Sequence, residues 1–341
     1  MTISESPAAA ISQAMPANPC IAVVIPSFRV TRHILGVIAA IPAGVHRIYV
    51  VDDACPDGSG ALVRERCADP RVTVVTNERN LGVGGATLRG FAAAHADGAR
   101  VVVKIDGDGQ MEPALIPRFV QPILQQRADY AKGNRFFDLE SLREMPKLRL
   151  LGNAVLSFMI KLSTGYWNIF DPTNGFVAMD ARLFPLLPVS KIKPRFFFES
   201  DLLFRLGTIR AVVIDIPMQS RYRDETSNLK IGSSILPFLA GHLRNTWKRI
   251  LYTYFLRDFS VASVNLLAGL ALMGGGGALG AYKWWQLAGT GHFASSGTVM
   301  LAALPIILGF QLLLSALNFD IQNVPRDSIG KYLDDPAPAR H

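Results

Sequence analysis

The chain has 341 residues, half of them hydrophobic (50%), with a mean hydropathy of +0.25. That is too apolar for an ordinary soluble enzyme of this size, so part of it is expected to meet lipid. Its 35 Lys and Arg against 27 Asp and Glu give a net +8, which suits phosphate groups or an acidic membrane surface and does not single out nucleic acid as a partner.

In chain order, residues 1–19 are rich in Ala, Ser and Pro and lack the basic and apolar regions of a signal peptide; they read as a mobile tail. Four short Val- and Ile-rich runs follow, Ile21 to Ile25, Arg47 to Val51, Val72 to Val75 and Val101 to Ile105, each bounded by Pro, Asp, Asn or Gly. Between them Ile34 to Ile41, Ala61 to Cys67 and Gly85 to Ala96 have helical length and composition. Alternating strands and helices predict a mainly parallel sheet covered on both faces, which gathers ligands at the carboxyl ends of its strands. Pro26, the Asp52-Asp53 pair, Asn77 to Gly82 (with Asn80) and Asp106 to Gln110 all fall at that edge. The odd number of cysteines, Cys20, Cys55 and Cys67, shows no metal-ligand spacing and reads as reduced thiols facing the cytosol.

Apolar residues recur at helical spacing from Leu148 to Leu162, giving an amphipathic helix over about 146–164 that either packs on the core or lies at a membrane interface. A second amphipathic segment, 233–258, carries Trp247, Tyr254 and Phe255 among Arg244, Lys248 and Arg249, and an interfacial seat is expected there. It leads into two uncharged runs, Val261 to Tyr282 and Ser295 to Phe319. At ~1.5 Å per residue each spans a bilayer core of about 30 Å, so 259–320 reads as a transmembrane hairpin. Basic residues cluster outside the hairpin, while its connecting loop holds only Lys283, which predicts cytoplasmic termini, with 321–341 a cytoplasmic tail. Small residues such as Gly274 to Gly277 allow close helix packing, within the hairpin or in a homo-oligomer.

The glycine cluster NLGVGGATLRG fails as a dinucleotide fingerprint. Counting from Gly82 the third glycine position holds Thr87, and the cluster follows the third strand rather than the first. DGDGQ fails as an EF-hand start, because Met111 and Pro117 stand where glycine and glutamate are required. Two readings of Asp106-Gly-Asp108 remain: an acidic turn, or a pair of hard oxygen donors for Mg²⁺ or Mn²⁺ bridged to a substrate diphosphate.

The ordered motifs IAVVIPSF, VVDDACPDGSG, NLGVGGATLRGF, VKIDGDGQMEP, KGNRF and DPTNGF resemble the family 2 glycosyltransferases, and within them the polyprenyl-phosphate enzymes of the dolichol-phosphate mannosyltransferase type. The resemblance covers residues 20 to about 230 and implies a GT-A type α/β domain over 20–232. It implies a nucleotide-sugar site at Pro26, Asp52, Asp53, Asn80, Gly82, Asp106 and Gln110, a metal at Asp106, Asp108 and Gln110, and catalytic roles for Asp108, Arg135, Glu199 and Asp201. Arg135, with Arg221, Arg223, Ser227 and Lys230, would hold phosphates and the acceptor. The expected reaction is inverting transfer of one sugar to a polyprenyl phosphate, such as undecaprenyl phosphate, at the bacterial inner membrane, for cell-envelope or glycan modification.

Phe28, Arg29 and Val30 depart from the family's usual Tyr-Asn-Glu, and SRYRDETSNLKI departs from its usual Arg and Gly-x-Ser-Lys pattern. The first departure gives a non-catalytic membrane scaffold its best support. A same-fold enzyme acting on diacylglycerol is a nearer alternative, and its hydroxyl acceptor would need a base such as Asp201.

Overall fold

A computed structural model describes residues 19–136, 147–195, 197–218 and 231–333. Seven strands form one sheet in the order β3-β2-β1-β4-β6-β5-β7. They are β1 (Ile21–Ser27), β2 (Arg47–Asp52), β3 (Val72–Thr76), β4 (Val101–Lys104), β5 (Tyr130–Asn134), β6 (Val177–Asp180) and β7 (Val213–Pro217). β6 pairs antiparallel with β4 and β5, and every other pairing is parallel. The expected strands are therefore present, and the mixed character of the sheet comes from β6.

The two faces of the sheet follow from period-two alternation. Val23, Ile25, Ile48, Val50, Val101 and Val103 pack with Ile34 of α1 (Ile34–Ala39) and Phe119 on one side. Ala22, Val24, Tyr49, Val51 and Val102 pack with Phe91 and Phe198 on the other. The flanking helices are α2 (Ser59–Arg66), α3 (Gly82–Ala96), α4 (Ile116–Leu124), α5 (Lys147–Thr164) and α6 (Phe198–Thr208).

Helix α7 (Ile231–Leu251) is amphipathic, with its apolar stripe turned away from the domain. Leu236, Leu239, Leu243, Trp247 and Leu251 are exposed, while His242 and Asn245 are buried against the domain. His242 Nδ1 lies 2.9 Å from Ser163 Oγ of α5, and burial holds its pKa down to about 4, so the ring is neutral. An apolar stripe facing outward along a helix that leads to a candidate membrane span is what an interfacial seat requires. α5 likewise exposes Val155 and Phe158.

The spans are α8 (Val261–Leu287) and α9 (Ser296–Gln322), each 27 residues long and mostly exposed, and both are candidate membrane spans. They run somewhat longer than the uncharged stretches of sequence. Within the four-glycine run only Gly276 meets the other helix: a Cβ there would lie 2.7 Å from the Ala302 carbonyl oxygen, whereas Gly274, Gly275 and Gly277 face open space. Gly269 and Gly309 make a second close approach.

Two features of the C-terminal part were not visible in the sequence. Arg249 of α7 makes a bidentate pair with Asp320 near the end of α9, at 2.7 and 2.9 Å. Trp167 Nε1 donates to the same carboxylate at 2.8 Å, and Tyr254 Oη also donates to it. The segment after α9, expected as a cytoplasmic tail, turns back as far as residue 333, with Val324, Ile329 and Leu333 packed against the core. There Ser328 Oγ and the Ile329 and Gly330 amides donate to Asp129 at 2.6, 3.0 and 2.8 Å. Residues 334–341 lie outside the described residues.

Candidate active site

Parallel pairing brings the carboxyl ends of β2, β1 and β4 side by side, with Ser27 in register with Asp52 and the Ile105 amide bonded to the Val24 carbonyl. Pro26, the Asp52-Asp53 pair and the Asp106–Gln110 turn therefore share one edge, as the sequence predicts. Met111 closes that turn, its Sδ accepting from the Asp106 amide, and the Gln110 amide donates to Asp108 Oδ1 at 2.9 Å.

The adjacent aspartates of the pair are separated by their surroundings. Asp53 is buried, and its carboxylate accepts from Asn77 Nδ2 and from the Leu81 and Gly82 amides at 2.7, 2.8 and 2.8 Å. It thus anchors the start of α3, where free amides and the helix dipole favour an anion. Asn80 joins this anchor through the Asp53 carbonyl. Gly82 has φ +81°, and a Cβ there would sit 2.8 Å from the Pro194 carbonyl oxygen, so this position demands glycine for backbone reasons. Asp53, Asn80 and Gly82 were expected at the donor; the structure gives all three a task in holding the third βα turn. Asp52 differs: Oδ1 accepts from the Cys55 amide at 2.9 Å, and Oδ2 has no hydrogen-bond partner among the described residues.

Lys104, the last residue of β4, is fully buried and forms an ion pair with Asp106 Oδ1 at 2.8 Å, with Glu199 Oε1 at 4.0 Å. Burial pulls its pKa down, but Asp106 and Glu199 outweigh that, and the ammonium is held above its ordinary value. Lys132 of β5 is equally buried and lies in the same row, since both lysines are in register with Val177 of the intervening strand. Among the described residues its one hydrogen bond is to the Asn174 carbonyl and no carboxylate is paired with it, and burial lowers its pKa to about 8. Asp215, the next residue in the row, is pushed up to about 6, mainly by burial.

Glu199 and Asp201 both stand in the first turn of α6 but do not share a site. Glu199 reaches Lys104, whereas Asp201 is completely buried and accepts from the Lys193 amide at 2.9 Å and from Asn245 Nδ2 of α7 at 3.0 Å. Asp201, expected in a catalytic role, therefore couples the domain to α7 from a fully buried position. Arg135 reaches the site edge but makes a bidentate pair with buried Asp171, Nε to Oδ2 at 2.8 Å and Nη2 to Oδ1 at 3.1 Å. That pair fixes the DPTNGF turn, so Arg135 is not an unattached phosphate ligand. Arg221, Arg223, Ser227 and Lys230 lie outside the described residues.

Lys104, Lys132, Asp171 and Gly175 carry no role in the sequence reading. A Cβ on Gly175 would lie 2.6 Å from Lys104 Nζ and 2.8 Å from Asp106 Oδ2, so the backbone of the turn closes directly on the ion pair. The available signal was Lys104 itself, since a charge inside a Val-rich strand is almost never buried without a partner.

Asp106 and Asp108 offer hard oxygen donors, and among the described residues no three His, Cys, Asp or Glu side chains form a closed cage. Such a set fits Mg²⁺ or Mn²⁺ that draws its other ligands from a diphosphate and water.

Carboxylates at the carboxyl ends of parallel strands in an α/β sheet are a common setting for ligand binding, and in this chain two candidate membrane spans follow the sheet. Comparison narrows that reading. The glycosyl transferase family 2 pattern matches residues 22–185. The polyprenol monophosphomannose synthase of Mycolicibacterium smegmatis is 30% identical over 191 residues, covering 55% of this chain and 71% of that protein. The UDP-N-acetylglucosamine–dolichyl-phosphate N-acetylglucosaminyltransferase of Methanococcus voltae is 27% identical over 205 residues, covering 55% and 81%. Glucosyl-3-phosphoglycerate synthase from Mycobacterium tuberculosis, solved with Mn²⁺, UDP and glucosyl-3-phosphoglycerate, shares the fold, with TM-score 0.52 and 21% identity over 72% of this chain and 87% of that one. The chain belongs to the family 2 glycosyltransferases.

Proposed function

We propose that the protein transfers one sugar from a nucleotide sugar to the phosphate of a membrane polyprenyl phosphate, with inversion at the anomeric carbon. The observation that carries this reading is the juxtaposition of two features. The Asp106-x-Asp108 turn stands at the sheet edge beside Asp52, and the same domain is joined through α6 and Asp201 to the lipid-facing helix α7. The relatives named above, which act on polyprenol and dolichyl phosphates, support the acceptor class.

In this reading Pro26 and Asp52 border the nucleoside, with Asp52 Oδ2 accepting from the base. Asp106 and Asp108, with Gln110 beside them, would hold Mg²⁺ or Mn²⁺, which when bound supplies positive charge to the departing diphosphate. Arg135, oriented by Asp171, presents its cationic edge toward the phosphates. Glu199, held near Lys104, faces the transferred sugar. The acceptor phosphate is already anionic near neutral pH, so positioning and charge stabilisation replace a strong general base. Its oxygen forms the new bond to the anomeric carbon as the bond to the nucleoside diphosphate breaks. The burial of Asp201 weighs against a diacylglycerol acceptor, whose hydroxyl would need that residue as a base. Both termini are placed on the cytoplasmic side, at the bacterial inner membrane.

The test is to incubate the detergent-solubilised chain with undecaprenyl phosphate, Mn²⁺ or Mg²⁺ and a panel of nucleotide sugars, reading lipid-linked products by mass. A metal-dependent phospho-sugar lipid is expected. Absence of product with every donor, from protein that binds nucleotide, would remove this reading and leave a scaffold.

A further inference from the structure

Lys104 is an unusual neighbour for a cation site. Its ammonium is fully buried, it ends a strand whose other residues are valines, and it is paired at 2.8 Å with one of the two carboxylates that would hold the metal. A second carboxylate, Glu199, stands 4.0 Å from it, and the Gly175 backbone closes on the pair from above. The lysine cannot turn away: strands on both sides hold its backbone, and the space at Nζ does not admit even a methyl group on Gly175.

Two consequences follow from elementary electrostatics. The contact fixes the orientation of Asp106, leaving Oδ2 as the oxygen not engaged by Lys104. The resident positive charge also opposes a second cation at the same carboxylates, and in a partly desolvated site that opposition is not screened away. A nucleoside diphosphate brings oxygens and negative charge of its own, and these reverse the balance.

We propose that Lys104 is a positioning residue that makes metal binding conditional on the nucleotide. It presents Asp106 in one orientation and keeps the Asp106/Asp108 pair from retaining a divalent cation until a nucleoside diphosphate supplies further ligands. The chain therefore takes up metal and nucleotide together, as a reciprocally coupled pair. This inference rests on the metal-diphosphate reading given above and adds a residue and a binding order to it.

The experiment is a Mn²⁺ titration of the full chain in detergent, followed by electron paramagnetic resonance of free Mn²⁺, alone and with saturating UDP or GDP. Wild type is expected to bind Mn²⁺ weakly alone and at least about tenfold more tightly with one of the nucleotides, a lower bound on what one unit charge at about 4 Å produces in a partly desolvated site. Lys104→Met keeps the length of the side chain and removes the charge; Lys104→Gln keeps a donor toward Asp106 and also removes the charge. In both, nucleotide-free Mn²⁺ affinity should rise at least about tenfold, so that the gain on adding nucleotide shrinks. The direction is diagnostic, because a merely structural lysine would on removal loosen the site and weaken the metal. Unchanged or weaker nucleotide-free binding in the two variants overturns the role of Lys104. If neither nucleotide improves Mn²⁺ retention by wild type, it is the metal-diphosphate reading that fails.

Discussion

Replacing each aspartate of the 52–53 pair by alanine separates two roles that adjacent, chemically identical residues have in this fold. Asp53 is 2% exposed and accepts three hydrogen bonds, two of them from amides that open α3. Asp53→Ala leaves those three donors without an acceptor at about 1–3 kcal/mol each, partly relieved by water entering the cavity, for a net loss of about 3–5 kcal/mol. Against a typical domain stability of about 5–15 kcal/mol this is a large fraction. Asp52→Ala removes one turn hydrogen bond, to the Cys55 amide, and should cost only about 1 kcal/mol of stability. It also removes the carboxylate proposed to accept from the base, a charge-assisted bond of about 1.5–3 kcal/mol, or about 10- to 100-fold in nucleotide affinity. Urea unfolding followed by far-ultraviolet circular dichroism measures the first quantity, and calorimetric titration with UDP and GDP the second. The reasoning fails if Asp53→Ala unfolds at the wild-type urea concentration, or if Asp52→Ala binds nucleotide as tightly as wild type.

Asp108→Asn should reduce sugar transfer by about 100-fold or more while leaving the unfolding midpoint in place, since the loss falls on charge stabilisation at the reacting centre; a lipid-product assay beside a melting curve checks it. Arg249→Met leaves the Asp320 carboxylate buried without its cation and should cost about 3–5 kcal/mol, whereas pairing it with Asp320→Leu should recover much of that, which a double-mutant cycle in detergent would show. Asp215 has a folded pKa of about 6 against 3.8 for the free group, so the folded state takes up its proton first. Its burial therefore lowers stability above about pH 6, and the penalty is relieved as pH falls from 6 toward 4. Asp215→Asn should accordingly stabilise the protein by about 2 kcal/mol at pH 7 and by much less at pH 4.5, as read from urea midpoints at the two pH values.

The sequence alone determined the parts governed by local pattern. Valine-rich runs ending in Pro, Asp or Gly predicted the first four strands, because a strand buried on both faces must be continuously apolar. The two charge-free stretches predicted the hairpin, because a span must be long and uncharged whatever surrounds it. The order of the motifs placed Asp52, Asp106 and Asp108 at one edge. Local pattern could not divide the work between residues of the same type, because that depends on partners distant in the chain. Asp53 is an anchor and Asp52 is not, because Asn77, Leu81 and Gly82 converge on one carboxylate from the turn between β3 and α3. Glu199 faces Lys104 and Asp201 faces α7 because two residues along α6 turn a side chain by about 200°. Lys104 interrupts the apolar pattern as if by error, and only the packing of β4, β6 and β5 in register shows it in a buried row with Lys132, with Glu199 4.0 Å from Lys104. Tertiary structure likewise decided that the segment after α9 returns to Asp129, since three hydrogen bonds spanning about two hundred residues leave no trace in local sequence.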